Sequence, residues 1–78
     1  MMQMNLDLNT LIQKAYEIRR QFPIGSRVRL IRMDGKYLPI DSEGTVTGVD
    51  DIGTIHVRWD CGSSLCVVYP EDKCEIIY

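Results

Sequence analysis

The chain has 78 residues, of which 45% are hydrophobic and 26% charged, and its formal net charge is −2 at pH 7. A chain this short forms one domain and buries only about 60% of the surface that its unfolded form exposes, which excludes a deep pocket between two domains. No apolar stretch reaches the ~20 residues that a membrane span needs, and the amino terminus lacks the basic and apolar regions of a signal peptide. We therefore expect a cytoplasmic globular protein with no membrane association.

The charges are unevenly distributed along the chain. Residues 1–40 carry seven Lys or Arg against three carboxylates, a formal charge of +4, whereas residues 41–78 carry two against eight, a formal charge of −6. Such an asymmetry steers a partner or favours head-to-tail contact between copies. It differs from the uniformly basic balance of a dedicated nucleic-acid-binding domain.

The first segment has the periodicity of an amphipathic α-helix. Its apolar residues recur at three- and four-residue spacing, on one stripe of the helix: Leu8, Leu11, Ile12, Ala15, Ile18 and Phe22. Pro23 ends the helix, because the residue before a proline is displaced from the helical region. An amphipathic helix needs a surface to pack on, and we expect that surface to be the rest of the chain or a second copy.

The rest of the chain alternates apolar and polar residues in short runs, as half-buried β-strands do. We predict five strands, over residues 27–32, 44–49, 54–59, 65–69 and 74–78. A longer loop at 33–42 separates the first two strands, glycine-containing turns at 50–53 and 60–63 make tight hairpins, and 70–73 fits one turn of 3₁₀ helix. This order is typical of a small five-stranded SH3-like β-barrel with one N-terminal amphipathic α-helix, and closure of the barrel would remove exposed strand edges.

The predicted domain is single, with residues 1–22 as helix and lead-in and residues 23–78 as the barrel. Alternation along the strands predicts which side chains face the core. Those predicted to face inward are Val28, Leu30, Ile55, Val57 and Trp59, and those predicted to face outward are Arg27, Arg29, Thr47, His56 and Arg58.

Two segments, residues 22–34 (FPIGSRVRLIRMD) and 43–60 (EGTVTGVDDIGTIHVRWD), carry a resemblance to a known family. The chain resembles, over about residues 8–77, a family of small domains of unknown function from bacterial, phage and mobile-element genomes. The resemblance implies an SH3-like barrel and no established activity, ligand or catalytic residue. The chain departs from the family's pattern in loop 35–42, which is not Pro-rich, and at Cys61, where such hairpins usually carry Asn.

The three cysteines, Cys61, Cys66 and Cys74, are an odd number with the spacing C-x4-C-x7-C. A disulfide framework requires an even count and a secretory context. A structural zinc site requires four ligands, usually with a C-x2-C pair, and only His56 is present to add to the thiols. We therefore expect reduced thiols and neither a metal nor a cofactor.

A catalytic role for His56 requires a neighbouring nucleophile or a second acid–base group. Ser63, Ser64 and the cysteines are near in sequence but show no triad pattern. We therefore predict an exposed strand histidine, no catalytic residue and no enzymatic activity. Asp50 and Asp51 have too few carboxylates for a calcium site, and we interpret them as part of the hairpin turn.

The candidates for recognition are side chains of strands and loops, since a small barrel binds through these elements and not through a buried cavity. The candidate binding surface comprises Arg27, Arg29, Tyr37, His56, Arg58, Trp59 and Tyr69. Arginines and aromatic rings bind phosphates and stack on bases, whereas the aromatic rings alone line a groove for a peptide. The alternative is that Trp59 completes the core and that the arginines only solvate the outer face.

Two classes of partner remain. A candidate basic patch of Arg19, Arg20 and Arg32, beside Arg27 and Arg29, favours nucleic acid, but the eight carboxylates of residues 41–78 repel phosphates. A protein partner, including a second copy in a homodimer through the N-terminal helix, would bury the amphipathic helix. We predict a non-enzymatic interaction module that is protein-binding or self-associating, with weak nucleic-acid binding as the alternative.

Overall fold

The computed structural model describes residues 8–33, 35, 38–68 and 71–77, the side chains of residues 8 and 11 excepted. The elements are α1 (Leu8–Gln21), β1 (Arg27–Arg32), β2 (Glu43–Val49), β3 (Thr54–Trp59), β4 (Val67–Val68) and β5 (Lys73–Ile76). The fold is therefore mainly β, with one helix, and this level of the prediction is confirmed.

The five strands form one antiparallel sheet in the order β4-β3-β2-β1-β5. The last strand of the chain pairs with the first, so β4 and β5 are the two edges. Within the described residues no hydrogen-bonded ladder joins these edges. The sheet is open as described, and the closed barrel stays a prediction.

β4 is shorter than predicted because its N-terminal part bonds to side chains instead of to a strand. The carbonyl oxygen of Leu65 accepts a hydrogen bond from the Trp59 indole Nε1 at 2.8 Å. The Leu65 N–H donates to Ser63 Oγ at 3.2 Å. With these groups engaged, Val67 and Val68 are the residues of this strand that form a ladder with β3 in the described part of the chain.

A buried aspartate just before β5 forms hydrogen bonds with β4. The carboxylate of Asp72 accepts a hydrogen bond from the Val68 N–H at 3.1 Å, and the Asp72 N–H donates to the Val68 carbonyl at 2.8 Å. Residues 71 and 72 form a turn and a bend, and β5 starts at Lys73, one residue earlier than predicted. The predicted 3₁₀ turn includes residue 70, which lies outside the described residues.

The core lies under the inward faces of the strands and the helix. The five side chains predicted to face inward are all buried, because alternation along β1 and β3 places them on one face of the sheet. The buried cluster contains Ile18, Phe22, Val28, Leu30, Met33, Leu38, Val46, Ile55, Val57, Trp59, Val67 and Cys74. One of its members, Ile18, belongs to α1 and another, Phe22, directly follows the helix, so the helix is part of the core.

Helix α1 packs on the hairpin between β2 and β3. Gly53 has a φ of +88°, and a Cβ there would lie 3.0 Å from Ile18 Cδ1 and 3.7 Å from Ala15 Cα. Glycine therefore satisfies two requirements at this position, because it adopts the left-handed conformation without strain and lets the helix approach closely.

Candidate functional site

Arg27, on the outer face of β1, is bound within the protein by two carboxylates. Its guanidinium donates to both oxygens of Asp60, at 2.8 and 2.5 Å, and to Glu43 Oε1 at 3.4 Å. It also donates to Thr45 Oγ1 at 3.0 Å. Such a two-pronged arginine–carboxylate pair is the strongest form of this interaction. The hydrogen bond from Arg27 holds the pKa of Asp60 below its ordinary value.

Arg29, two residues along β1, forms a second internal ion pair. It lies directly opposite Glu75 in the β1–β5 register. Its Nε donates to Glu75 Oε2 at 3.0 Å, and its Nη2 donates to the same oxygen. Asp41 Oδ1 lies 4.0 Å away from Nε. Hydrogen bonding to Glu75 raises the pKa of Arg29, so the guanidinium stays charged and paired.

The predicted basic patch at the end of α1 is also engaged within the chain. Arg19 Nη2 donates to the carbonyls of Val49 at 2.9 Å and Asp50 at 3.3 Å, which ties the helix to the β2–β3 turn. Arg32 Nε donates to the Glu71 carbonyl at 3.3 Å. Arg20 is exposed. The arginines predicted to form this patch thus act mainly as links between elements.

The predicted binding surface includes three aromatic residues, and the structure shows that one of them, Trp59, is not on the surface. Trp59 is only 1% exposed and packs in the core, because it continues the inward stripe of β3 and its indole N–H has a carbonyl partner in Leu65. It therefore cannot line a groove. Tyr37 and Tyr69 lie outside the described residues. Arg58 is exposed on the outer face of β3.

The outer face of β3 instead places His56 between a carboxylate and a thiol. His56 Nε2 lies 3.0 Å from Asp50 Oδ2, and His56 Nδ1 lies 3.4 Å from Cys66 Sγ. The Asp50 carboxylate also accepts the N–H groups of Ile52 at 3.1 Å and Thr54 at 2.9 Å through Oδ1. We call Cys66, His56 and Asp50 the thiol–imidazole cluster.

The registers of two hairpins assemble this cluster. Gly48, two residues before Asp50, is opposite His56 in the β2–β3 ladder, so Asp50 lies diagonally across from the imidazole on the same face. In the next hairpin Ile55 is opposite Val67. One residue along each strand, the same register puts Cys66 opposite His56 on the outer face.

The hydrogen bonds define the protonation of the cluster. Partial burial by itself raises the pKa of Asp50, but hydrogen bonds from His56, Thr54 and Ile52 outweigh it and hold this pKa below its ordinary value. Asp50 is therefore a carboxylate at neutral pH and only accepts hydrogen bonds. In the neutral imidazole the proton then lies on Nε2, which leaves Nδ1 of His56 to accept the S–H of Cys66.

The two ring nitrogens of His56 point away from each other, toward Asp50 on one side and Cys66 on the other. The three groups therefore do not converge on one point, as metal ligands do. Among the described residues no group of three or more His, Cys, Asp or Glu side chains is placed to hold a metal ion.

The thiol–imidazole cluster was not predicted from the sequence, although the sequence contains a signal for it. Trp59 and Ser63 close the β3–β4 turn through a 3.0 Å hydrogen bond from the Trp59 N–H to the Ser63 carbonyl. Counting outward from this pair, one residue at a time on each strand, brings His56 opposite Cys66 at the third step. A turn at residues 60–63 is predicted from the sequence, but the pairing of His56 with Cys66 also depends on the register that this turn sets.

A second feature of the surface is the apolar flank of α1. Ile12 is 51% and Tyr16 64% exposed, one helical turn apart, while Ala15 and Ile18 are buried on the neighbouring stripe. Arg19 follows on the same flank as Tyr16 and bonds to the β2–β3 turn. Ile52, in that same turn, is also exposed. We call Ile12, Tyr16 and Ile52 the helix–hairpin surface.

Within the described part of the chain, no helix has the length and apolar character needed to cross a membrane. No curated protein matches the chain. A family model, DUF4314, a domain of unknown function, matches residues 12–77 and so includes most of the helix and all five strands. The protein therefore belongs to the DUF4314 family of domains of unknown function.

Proposed function

We propose that this protein is a non-enzymatic interaction module that binds a protein, or a second copy of itself, through the helix–hairpin surface. The observation that carries the proposal is the exposure of Ile12 and Tyr16 on a helix whose other stripe is already buried in the core. Burying two such side chains in an interface removes apolar area from water and stabilises the complex. Aromatic side chains such as Tyr16 are also enriched in protein interfaces.

The ion pairs of the outer face weigh against nucleic acid as the partner. Arg27 and Arg29 each bond to a carboxylate inside the chain. A phosphate would have to replace Asp60 or Glu75, and the freed carboxylate would then repel it. Because non-specific nucleic-acid binding depends on unpaired cations that neutralise phosphates, this arrangement favours a protein partner.

The proposal includes an SH3-like barrel in a cytoplasmic, bacterial or mobile-element setting. The order β4-β3-β2-β1-β5, which brings the last strand beside the first, supports the barrel. Three free thiols support a reducing compartment. The bacterial, phage or mobile-element setting rests on the family resemblance of residues 22–34 and 43–60.

Sedimentation velocity over a wide range of protein concentration tests the self-associating form, with Ile12→Glu/Tyr16→Glu as the variant. We expect the wild-type chain to form a dimer as its concentration rises, and we expect the double variant to remain monomeric because two charges would be buried at the contact. Ile40→Glu is the matched control, since Ile40 is 54% exposed in the β1–β2 loop and lies outside the surface.

Co-purification from the native cell with the same three chains tests the form with a different partner. A protein retained by the wild type and by Ile40→Glu, but lost from the double variant, supports the proposal. Monomeric wild-type protein with an unchanged set of bound proteins in all three chains contradicts it. A salt-sensitive gel shift that disappears in Arg27→Ala/Arg29→Ala would instead assign the protein to nucleic acid.

A further inference from the structure

We propose that Cys66 is a site of thiol–disulfide exchange with small disulfides, in which His56 accepts the thiol proton and Asp50 orients the imidazole. This role is independent of the helix–hairpin surface, which lies on other residues. It is a stoichiometric modification of the protein by a mixed disulfide, and it requires no turnover.

The arrangement is that of a nucleophile, a base and a group that orients the base. Cys66 Sγ lies 3.4 Å from His56 Nδ1, within the range of a hydrogen bond to sulfur, and His56 Nε2 lies 3.0 Å from Asp50 Oδ2. Asp50 is itself fixed by the N–H groups of Ile52 and Thr54. The carboxylate therefore selects the tautomer in which Nδ1 faces the thiol with its lone pair.

A base is needed because the Cys66 thiol is protonated at rest. Burial, followed by the negative charge of Asp50, raises the pKa of this thiol above its ordinary value. Only the thiolate attacks a disulfide, so an unassisted Cys66 would react more slowly than an ordinary cysteine. Transfer of the proton to Nδ1 as the sulfur attacks removes this disadvantage, and the Asp50 carboxylate stabilises the imidazolium that forms.

The exchange step balances without an external oxidant. The Cys66 sulfur forms a bond to one sulfur of the small disulfide, and the original sulfur–sulfur bond breaks with its electron pair on the departing sulfur. The proton moves from Cys66 to Nδ1 of His56 and then to the departing thiolate, which leaves as a thiol. One disulfide is consumed and one mixed disulfide is formed.

The other two thiols provide internal references. Cys74 is buried, and burial raises its pKa to about 11, so it stays protonated and inaccessible. Cys61 is exposed in the turn after β3 and has no imidazole contact among the described residues. Cys66 is partly exposed, and the side chains of His56 and Asp50 beside it are also open to solvent. A small disulfide therefore has access to the sulfur.

The test uses the full, reduced chain with all three cysteines and a neutral probe, 2-hydroxyethyl disulfide, near neutral pH. Peptide mass spectrometry follows the mixed disulfide at each cysteine over time. We expect His56→Gln to slow the reaction of Cys66 by about tenfold or more, a conservative value for the loss of a positioned base. We expect Asp50→Asn to slow it in the same direction by a smaller factor, and we expect the rate at Cys61 to stay the same.

Arg58→Gln is the matched control, since Arg58 lies two residues from His56 on the same outer face of β3, and it should leave the Cys66 rate unchanged. A loss of local structure exposes the thiol and accelerates the reaction, so slowing in His56→Gln cannot result from unfolding. The proposal is overturned if Cys66 reacts at the wild-type rate in His56→Gln, relative to Cys61. It is also overturned if Arg58→Gln slows Cys66 equally, or if wild-type Cys66 stays unmodified while Cys61 reacts to completion.

Discussion

At Gly44 the backbones of β2 and β3 come closer than a side chain allows. A Cβ at this position would lie 2.8 Å from the Arg58 carbonyl oxygen and 2.9 Å from Trp59 Cα, both backbone atoms that cannot move aside alone. At Gly48, in the same strand, a Cβ would meet nothing within 4 Å. Of these two glycines of β2, only Gly44 is therefore required for packing.

Gly44→Ala should therefore destabilise the protein by about 1–3 kcal/mol, the usual cost of inserting an atom group into a packed site. Gly48→Ala should instead stabilise the protein, by up to about 0.5–1 kcal/mol, because alanine loses less conformational entropy than glycine when a strand forms. Urea unfolding of both variants measures the difference. Equal destabilisation by the two substitutions would contradict the assignment of the close approach to Gly44.

Among the elements, the β1 strand is joined to the turn after β3 by one arginine. Arg27 reaches across β2, where Thr45 and Glu43 accept from it, to the two oxygens of Asp60. The backbone adds a further link, since the Asp60 N–H donates to the Glu43 carbonyl at 2.9 Å. Three consecutive strands are thus tied on the outer face as well as in the core.

Because of the Arg27–Asp60 pair, we expect the free energy of unfolding to decrease at acid pH. The pKa of Asp60 is lowered in the folded state, so its contribution is fully present at neutral pH and is lost as the pH falls through about 4, the ordinary aspartate value, toward the folded-state pKa. In Asp60→Asn the unfolding free energy should fall less between neutral pH and about pH 3 than in the wild type.

Asp51→Asn is the control for this experiment, because the Asp51 carboxylate is fully exposed and lies 3.7 Å from Arg19. Exposed pairs of that kind contribute little, and we expect this variant to follow the wild-type pH dependence. Urea titrations at the two pH values provide the comparison. An acid dependence in Asp60→Asn as steep as in the wild type would exclude the Arg27–Asp60 pair as its origin.

The molecule as a whole joins its helix and its sheet through one core. Ile18 of α1 and Phe22, which directly follows the helix, belong to the same buried cluster as Trp59 and Val46 of the sheet. The helix is further attached by the hydrogen bonds of Arg19 to the β2–β3 turn. Since isolated helices of this length are marginal in water, α1 depends on the sheet for its structure.

We therefore expect the helix and the sheet to unfold together, as one domain. Ile18→Ala should lower the unfolding free energy by about 2–5 kcal/mol, the usual range for a buried isoleucine, whereas Ile12→Ala should change it little. Far-ultraviolet circular dichroism reports the helix, and the fluorescence of Trp59, the single tryptophan, reports the core. Both signals should shift to the same lower urea midpoint in Ile18→Ala, and a helix signal lost well before the Trp59 signal would show two separate units.

Local periodicity alone determined the type and order of the elements and the buried faces of β1 and β3, whereas Ile12, on the predicted apolar stripe of α1, is 51% exposed. The three- and four-residue spacing of Ala15, Ile18 and Phe22 and the alternation along Ile55, Val57 and Trp59 are properties of single segments, and the structure has them as predicted. Strand lengths were less predictable where side chains compete for backbone bonds, as Trp59 and Ser63 do at Leu65.

The partners of the polar side chains were decided only by the tertiary structure. Arg27 and Asp60 are 33 residues apart, and Arg29 and Glu75 are 46 apart, so no local pattern pairs them, and the predicted basic surface became a set of internal ion pairs. Cys66 and His56 meet only because the turn at residues 60–63 sets their register. Hydrogen bonds and ion pairs depend on distances of a few ångströms between distant segments, whereas burial depends on a periodicity that each segment carries by itself.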